Sequence, residues 1–299
     1  MNGMFDVNLG EALAITTALT WAVAVILFKK SGESVHPIAL NLFKDLLSVV
    51  LFVPTLWLLG LEMFRDVPCS DYMLMLASGV IGIGLGDTLF FKSLNTLGAG
   101  LASIVDCMYS PSIIVLSIMF LNESLTVWQL IGATMIVSAV LSAGLERSPG
   151  DLDRSVLLKG IGYGVAAQVM NGVGIVMIKP LLDRSPVLWV TQWRLIGGIA
   201  VLMVVLGFWK RRRAVIDSLL HTRSWGYVIV SSVIGTYLAM MLWLGGMKYT
   251  QASTASALNQ TSNIFVFIMA AVFLRERVTP ARVVGIVVAV MGAIMVTLL

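Results

Sequence analysis

Apolar stretches of membrane-crossing length alternate with short polar connections along nearly the whole chain. They fall at roughly 9–29, 37–60, 71–91, 98–121, 126–145, 156–178, 186–209, 224–244, 252–274 and 280–298, each near the ~20 residues a helix needs to span a hydrocarbon core. The pattern predicts an all-α polytopic membrane protein with ten transmembrane helices. The first stretch is not expected to be a cleavable signal. Asp6 and Glu11 stand where a signal carries basic residues, and the apolar run is too long for a signal core.

One polar element punctuates the pattern twice. Glu123-Ser124-Leu125-Thr126 leads to Gly132, and Glu276-Arg277-Val278-Thr279 leads to Gly285, at a constant spacing of 153 residues. Earlier in each half the spacing is 150, which pairs Lys29 with Lys179, Lys44 with Arg194 and Trp21 with Asn171. Ten helices divide into five and five, and an odd number makes the second half enter the bilayer from the opposite side. The expectation is two inverted five-helix repeats, 1–146 and 156–299, joined by a short polar linker at 147–155. The Glu123 and Glu276 elements read as joints between spans, because a carboxylate is favoured near a helix N-terminus and Pro280 suits an early helical position.

Composition agrees with the pattern. The chain is 58% hydrophobic and 12% charged with a mean hydropathy of +0.94, against about 25% charged residues in soluble domains. The net charge of +4 does not call for nucleic acid, since loop Lys and Arg set orientation. The larger group of loop cations includes Lys29, Lys92, the run Lys210 to Arg213, and Arg277. Placing it in the cytoplasm puts both termini outside. Cys69 and Cys107 form no disulfide framework or metal site. His36 and His221 fall near loops, without a zinc-binding helix or phosphate loop. No metal, no cofactor and no catalytic trio are therefore expected. Gly82-Ile83-Gly84-Leu85-Gly86 lacks dinucleotide-loop spacing and suits close helix packing or a local kink.

Ionisable and amide groups inside the spans carry the candidate chemistry, because such groups are costly in a bilayer. Asp106 shares a helical face with Ser103 and Ser110, with Tyr109 beside them. The 153-residue spacing carries Ser103, Asp106 and Ser110 onto Ser256, Asn259 and Asn263. These stripes read either as two cavity walls or as interhelical hydrogen bonds. Lys44, next to Asp45, and Arg194, next to Gln192 and Trp193, read as cavity cations or as side chains snorkelling to the interface. Trp21 with Thr17, and Asn171 with Gln168, suit a grip on a small polar solute. Tyr237 and Trp243 are further lining candidates. The expected substrate-binding set is Asp106, Asn259, Gln168, Asn171, Trp21, Lys44, Arg194, Tyr109 and Asn263. Asp106 and Asp87 are the candidates for proton coupling, although Asp87 could instead pair with Lys92.

The paired Glu-x-x-Thr…Gly elements, Trp21 and Lys29, and the turn Asn95-Thr96-Leu97-Gly98-Ala99 resemble the drug/metabolite transporter superfamily, and within it the ten-span EamA-type carriers. The resemblance covers the whole chain. It implies two inverted four-helix bundles around a central cavity, with the fifth and tenth spans at the periphery. It also implies secondary transport of small metabolites across the cell membrane, often export of amino acids or related compounds. Relatives of this type commonly have cytoplasmic termini, opposite to the loop-charge reading. The expected partners are the lipid bilayer, a small-molecule substrate and protons, with a homodimer as a further expectation and no nucleic acid. The alternatives are a non-transporting receptor or assembly subunit and an intramembrane enzyme.

Overall fold

The computed structural model describes residues 2–121, 126–145, 153–249 and 258–298, and no strand occurs among them. Seven helices are long and apolar enough to cross a membrane, and three shorter apolar helices, Val127–Ala143, Leu258–Phe273 and Pro280–Val296, accompany them. Glu123, Ser124, Leu125, Ser256 and most of the 147–155 linker lie outside the described residues.

The first half runs through α1 (Asn2–Ser31), α2 (Pro37–Leu58), α3 (Cys69–Ser78), a π-helical segment (Gly79–Gly86), α4 (Asp87–Leu97), α5 (Ala99–Asp106), α6 (Tyr109–Leu121) and α7 (Val127–Leu145). The second half runs through α8 (Arg154–Leu182), α9 (Val187–Phe208), the short connecting helix α10 (Arg212–Leu220), α11 (Trp225–Ser232), a second π segment (Val233–Leu238), α12 (Ala239–Tyr249), α13 (Ser262–Phe273) and α14 (Pro280–Leu298). The two π segments fall in matching positions of the two halves, within one residue of the 153 spacing. Wide turns of this kind are rare and are frequently found at functional sites.

α2 shows how the sequence sorts its faces. Leu46, Val50, Val53 and Trp57 are exposed, while Asn41, Lys44, Asp45, Ser48 and Thr55 are buried. The two rows follow the helical period, so the polar stripe points into the bundle and the apolar stripe out toward lipid. The polar stripe also supplies donors to carbonyls of the π segment. Asn41 Nδ2 donates to Ile83 O at 2.9 Å, Gly84 O at 3.1 Å and Thr88 Oγ1 at 3.0 Å. In lipid a freed carbonyl must find such a donor within the protein.

α2 opens at Pro37, with His36 as its N-cap, and His36 Nδ1 accepts from the Ile38 amide at 3.3 Å. Burial, and then the nearby charge of Lys92, lower the imidazole below its ordinary value of 6.5. The folded chain thus holds the neutral ring, while the unfolded ring takes up a proton as pH falls through 6.5. Stability present above that pH is lost as acidification continues toward the folded value. His36→Asn keeps a capping acceptor that does not titrate. We expect its thermal unfolding to match the wild type above pH 6.5 and to exceed it in more acidic buffer, by a small margin because solvent screens the half-exposed ring. Parallel curves over the whole range would show that the cap does not respond to pH.

At the helix joints, Thr126 accepts from the Gln129 amide at 3.2 Å, and Gln129 Oε1 accepts from the Thr126 amide at 3.1 Å, forming a capping box. Thr279 accepts from the Arg282 amide at 3.3 Å ahead of Pro280. Glu276, however, does not serve the helix that follows it. Its carboxylate accepts from the Ala99 amide at 2.7 Å and the Gly100 amide at 2.8 Å, closing the N-terminus of α5 in the other half. α7 and α14 pack on one another where Gly132 and Gly292 bring the backbones together. A Cβ on either would stand 2.5 or 2.6 Å from the other's carbonyl oxygen.

Candidate functional site

Two helices break where the repeat places its polar stripes. α5 ends at Asp106, a turn spans Cys107 and Met108, and α6 begins at Tyr109. Pro111 has no N–H for the Cys107 carbonyl, which accepts instead from the Ser110 amide at 3.3 Å. In the second half, a helical stretch at 258–260 is interrupted at Thr261 before α13 begins. The 153-residue spacing carries Met108 onto Thr261, so the breaks are equivalent. Each lies within two residues of Asp106 or Asn259.

Around these breaks lies a cavity of about 360 Å³. Trp21, Lys44, Asp87, Asp106, Tyr109, Gln168, Asn171, Arg194 and Asn259 all reach it. Asn263 does not reach the main space. It borders a much smaller neighbouring one with Trp21 and Asp106, and its Nδ2 donates to Cys107 Sγ at 3.4 Å and Gln260 Oε1 at 3.3 Å. Ser110 is likewise taken up in packing, accepting from Gln260 Nε2 at 2.9 Å. The two readings of the stripes thus divide by residue: Asp106 and Asn259 line the cavity, while Ser110 and Asn263 bond across helices. Tyr237 is bonded to Thr55 at 2.7 Å.

The charged groups differ in how they are held. Lys44 is buried, and its ammonium lies 2.6 Å from Asp45 Oδ1 and 2.9 Å from Asp87 Oδ2. It is therefore no snorkelling side chain. Asp87 takes Lys44 and not Lys92 as its ion-pair partner; Lys92 sits 5.7 Å from the centre of the Tyr163 ring. Asp106 Oδ1 accepts from Gln168 Nε2. Arg194 Nε donates to Ser78 Oγ at 2.9 Å. Gly82 leaves room for its guanidinium beside Asn171: a Cβ there would stand 3.4 Å from Arg194 Nη2 and 3.5 Å from Asn171 Oδ1. Asn259 Oδ1 is buried without a hydrogen-bond donor. Two cations and three carboxylates, counting Asp45, thus share one region, together with a vacant acceptor.

Several wall residues escaped the sequence reading. Thr191, one turn before Arg194 and buried, carried the same helical-face signal that found Gln168 from Asn171. Phe28, Phe90 and Phe91 form an aromatic side of the cavity near Trp21, whose ring lies 6.4 Å from that of Phe90. In an apolar chain, spacing cannot separate such aromatics from lipid-facing ones.

A multi-pass helical membrane protein with a polar internal cavity at helix breaks has the build of a small-molecule carrier. The chain belongs to the EamA-like transporter family, whose model matches it twice, over residues 8–144 and 158–298. An uncharacterized transporter of Archaeoglobus fulgidus is 23% identical over 290 residues, covering 96% of this chain and 97% of the relative. The uncharacterized transporter YetK of Bacillus subtilis is 27% identical over 134 residues, 44% of this chain and 39% of YetK. A solved crystal structure shares the fold at a TM-score of 0.64, with 17% identity and 96% of each chain covered. The chain is accordingly a transporter-family protein of the lipid bilayer, and its family is not one of enzymes.

Proposed function

We propose that the chain is a secondary active transporter of the cell membrane, moving a small metabolite, an amino acid or related solute, by alternating access. On this reading the three shorter apolar helices cross the membrane along with the seven long ones, giving five spans to each of the two stretches that the family model matches. The second five, 156–299, are then inserted in the opposite sense to the first, 1–146. Export is the direction that the family resemblance implies.

The observation that carries the proposal is the cavity at the paired helix breaks, lined from both halves by opposite charges and amides. Discontinuous helices at a repeat interface are the usual setting of a transported solute. Arg194, which lines this space, would hold a carboxylate. Asp106 and the free Asn259 Oδ1 would accept from an ammonium or hydroxyl, and Trp21, Tyr109, Gln168 and Asn171 would fix orientation. With three carboxylates against two cations, one proton balances the charge, which gives Asp106 or Asp87 a coupling role.

Purified full-length protein should be screened by thermal unfolding against amino acids, nucleosides, sugars and lipophilic cations, since a ligand selective for the folded state raises the midpoint. We expect a hit among zwitterionic solutes, its shift largely lost in Asp106→Asn, and pH-driven counterflow of that solute in proteoliposomes. No shift with any class and no flux would favour a receptor or assembly subunit.

A further inference from the structure

Lys44 is bracketed by two carboxylates that the other half lacks. The repeat spacings carry Lys44 onto Arg194, but they carry Asp45 onto Leu195 and Asp87 onto Met240, two apolar residues of the cavity wall. The acids are therefore a feature of the first half and not of the duplicated scaffold. They also differ from each other. The Asp45 side chain is 0% exposed and its Oδ2 has no donor. The Asp87 side chain is 28% exposed and opens on the cavity.

With all three ionised, the Asp45–Lys44–Asp87 group carries one surplus negative charge. Arg194 faces the same cavity as Asp87 and Asp106, and with all three acids ionised the five groups still carry one surplus negative charge, which a proton or a cationic solute balances in a low-dielectric interior. Asp45 has no access to either. Asp87 has access to both, and it is also the residue at which the first π segment returns to α-helix. Its bond to Lys44 thus ties α2 to the bend of the third span.

We propose that Asp45, Lys44 and Asp87 form the coupling site: Asp45 holds Lys44 throughout, Asp87 holds it only while ionised, and the coupling proton loads onto Asp87 rather than Asp106. The proposal rests on the proton-coupled reading given above. A proton from cavity water bonds to Asp87 Oδ2, whose lone pair then no longer accepts from the ammonium. Lys44 stays charged and paired with Asp45, the cavity becomes less negative by one charge, and the ionic tie between α2 and the end of the π segment is lost while the Asn41 bonds to Ile83 and Gly84 remain. The charged or titratable groups facing the triad are Arg194 from α9, Asp106 from α5 and Tyr109 from α6. From α8 the cavity receives only the amides of Gln168 and Asn171 as polar side chains. Tyr237 of the second π segment is engaged with Thr55.

The test needs no substrate. Full-length protein in lipid nanodiscs is followed by infrared difference spectroscopy while the buffer is acidified, reading the carboxylic-acid C=O stretch. Loop carboxylates contribute equally to every variant and cancel in the wild-type-minus-variant difference. We expect a C=O band that is lost in Asp87→Asn and kept at full size in Asp106→Asn. In Asp87→Glu, which also serves if the Asn variant does not fold, the band should persist at a changed frequency. Asp45→Asn should keep the band but move its midpoint by about one pH unit or more, because Lys44 then has a single acceptor. An unmoved midpoint there would overturn the part assigned to Asp45. A band lost in Asp106→Asn and kept in Asp87→Asn would overturn the proposal while leaving proton coupling intact. The absence of any difference between wild type and the three sites' variants would remove proton coupling itself.

Discussion

Glu276→Ala should lower stability by about 2–4 kcal/mol, a large change for an alteration outside the apolar core, because it strips the acceptor from two backbone donors together. Ala99 and Gly100 are buried, so water does not readily replace the carboxylate that accepts from both amides. The local backbone is shaped for this contact. Gly98 has φ +82, and a Cβ there would stand 2.7 Å from Glu276 Oε1. On the other side, Arg275 adopts φ 53, rare for a residue with a side chain, and turns the following carboxylate toward α5. Lys29 closes the same corner, its ammonium donating to the Asn95 carbonyl at 3.0 Å. Glu276→Gln keeps one acceptor without the charge and should fall about midway, since hydrogen bonds to charged groups are the stronger ones. Amide hydrogen exchange provides the local reading: protection at Ala99 and Gly100 should drop in Glu276→Ala more than in the middle of α13. Uniform loss of protection across the bundle, or unchanged unfolding, would mean that the carboxylate does not hold α5 in place.

This joint also marks where sequence reasoning reached and where it stopped. The doubled element could be found because spacing along a chain is written in the sequence, and its threonines and proline begin helices as capping chemistry requires. A carboxylate near a helix N-terminus was equally legible. Which N-terminus it serves was not, because Ala99 lies in the other half and its proximity is a property of how the halves pack. The same limit governed the charges. Asp87 has Lys92 close by in sequence, yet its partner is Lys44, brought in when the α2 stripe turns toward the π segment. The repeat spacing set Asp106 against Asn259, and Pro111 stands beside the break that follows Asp106. The matching break at Thr261 has no proline and no comparable signal. Likewise the glycines at 82, 84 and 86 suggested close packing or a kink, whereas the structure holds a π segment there whose carbonyls also receive donors from Asn41 of α2.

Gly79→Ala should be the more damaging change for function, and its size follows from one contact. A Cβ on Gly79 would lie 1.9 Å from the carbonyl oxygen of Arg194 and 2.6 Å from its carbonyl carbon, both backbone atoms that cannot rotate away. The start of the first π segment and α9 must separate until the contact opens to the ordinary range that starts at 3.4 Å, and overpacking of this kind costs about 1–3 kcal/mol or more. Arg194 cannot keep its place while this happens, because the displaced atoms are its own. The bond from its Nε to Ser78 Oγ, one residue before Gly79, is strained by the same shift. We expect a lower unfolding temperature, and in the surviving folded protein a weakened or absent response to any ligand that stabilises the wild type. Gly207→Ala is the matched control. Nothing lies within 4 Å of a Cβ at Gly207, and alanine is favoured over glycine in a helix by up to about 1 kcal/mol, so this variant should be neutral or slightly more stable with its ligand response intact. Equal behaviour of the two variants would show that the closeness of the first π segment and α9 at Arg194 is not what positions the guanidinium.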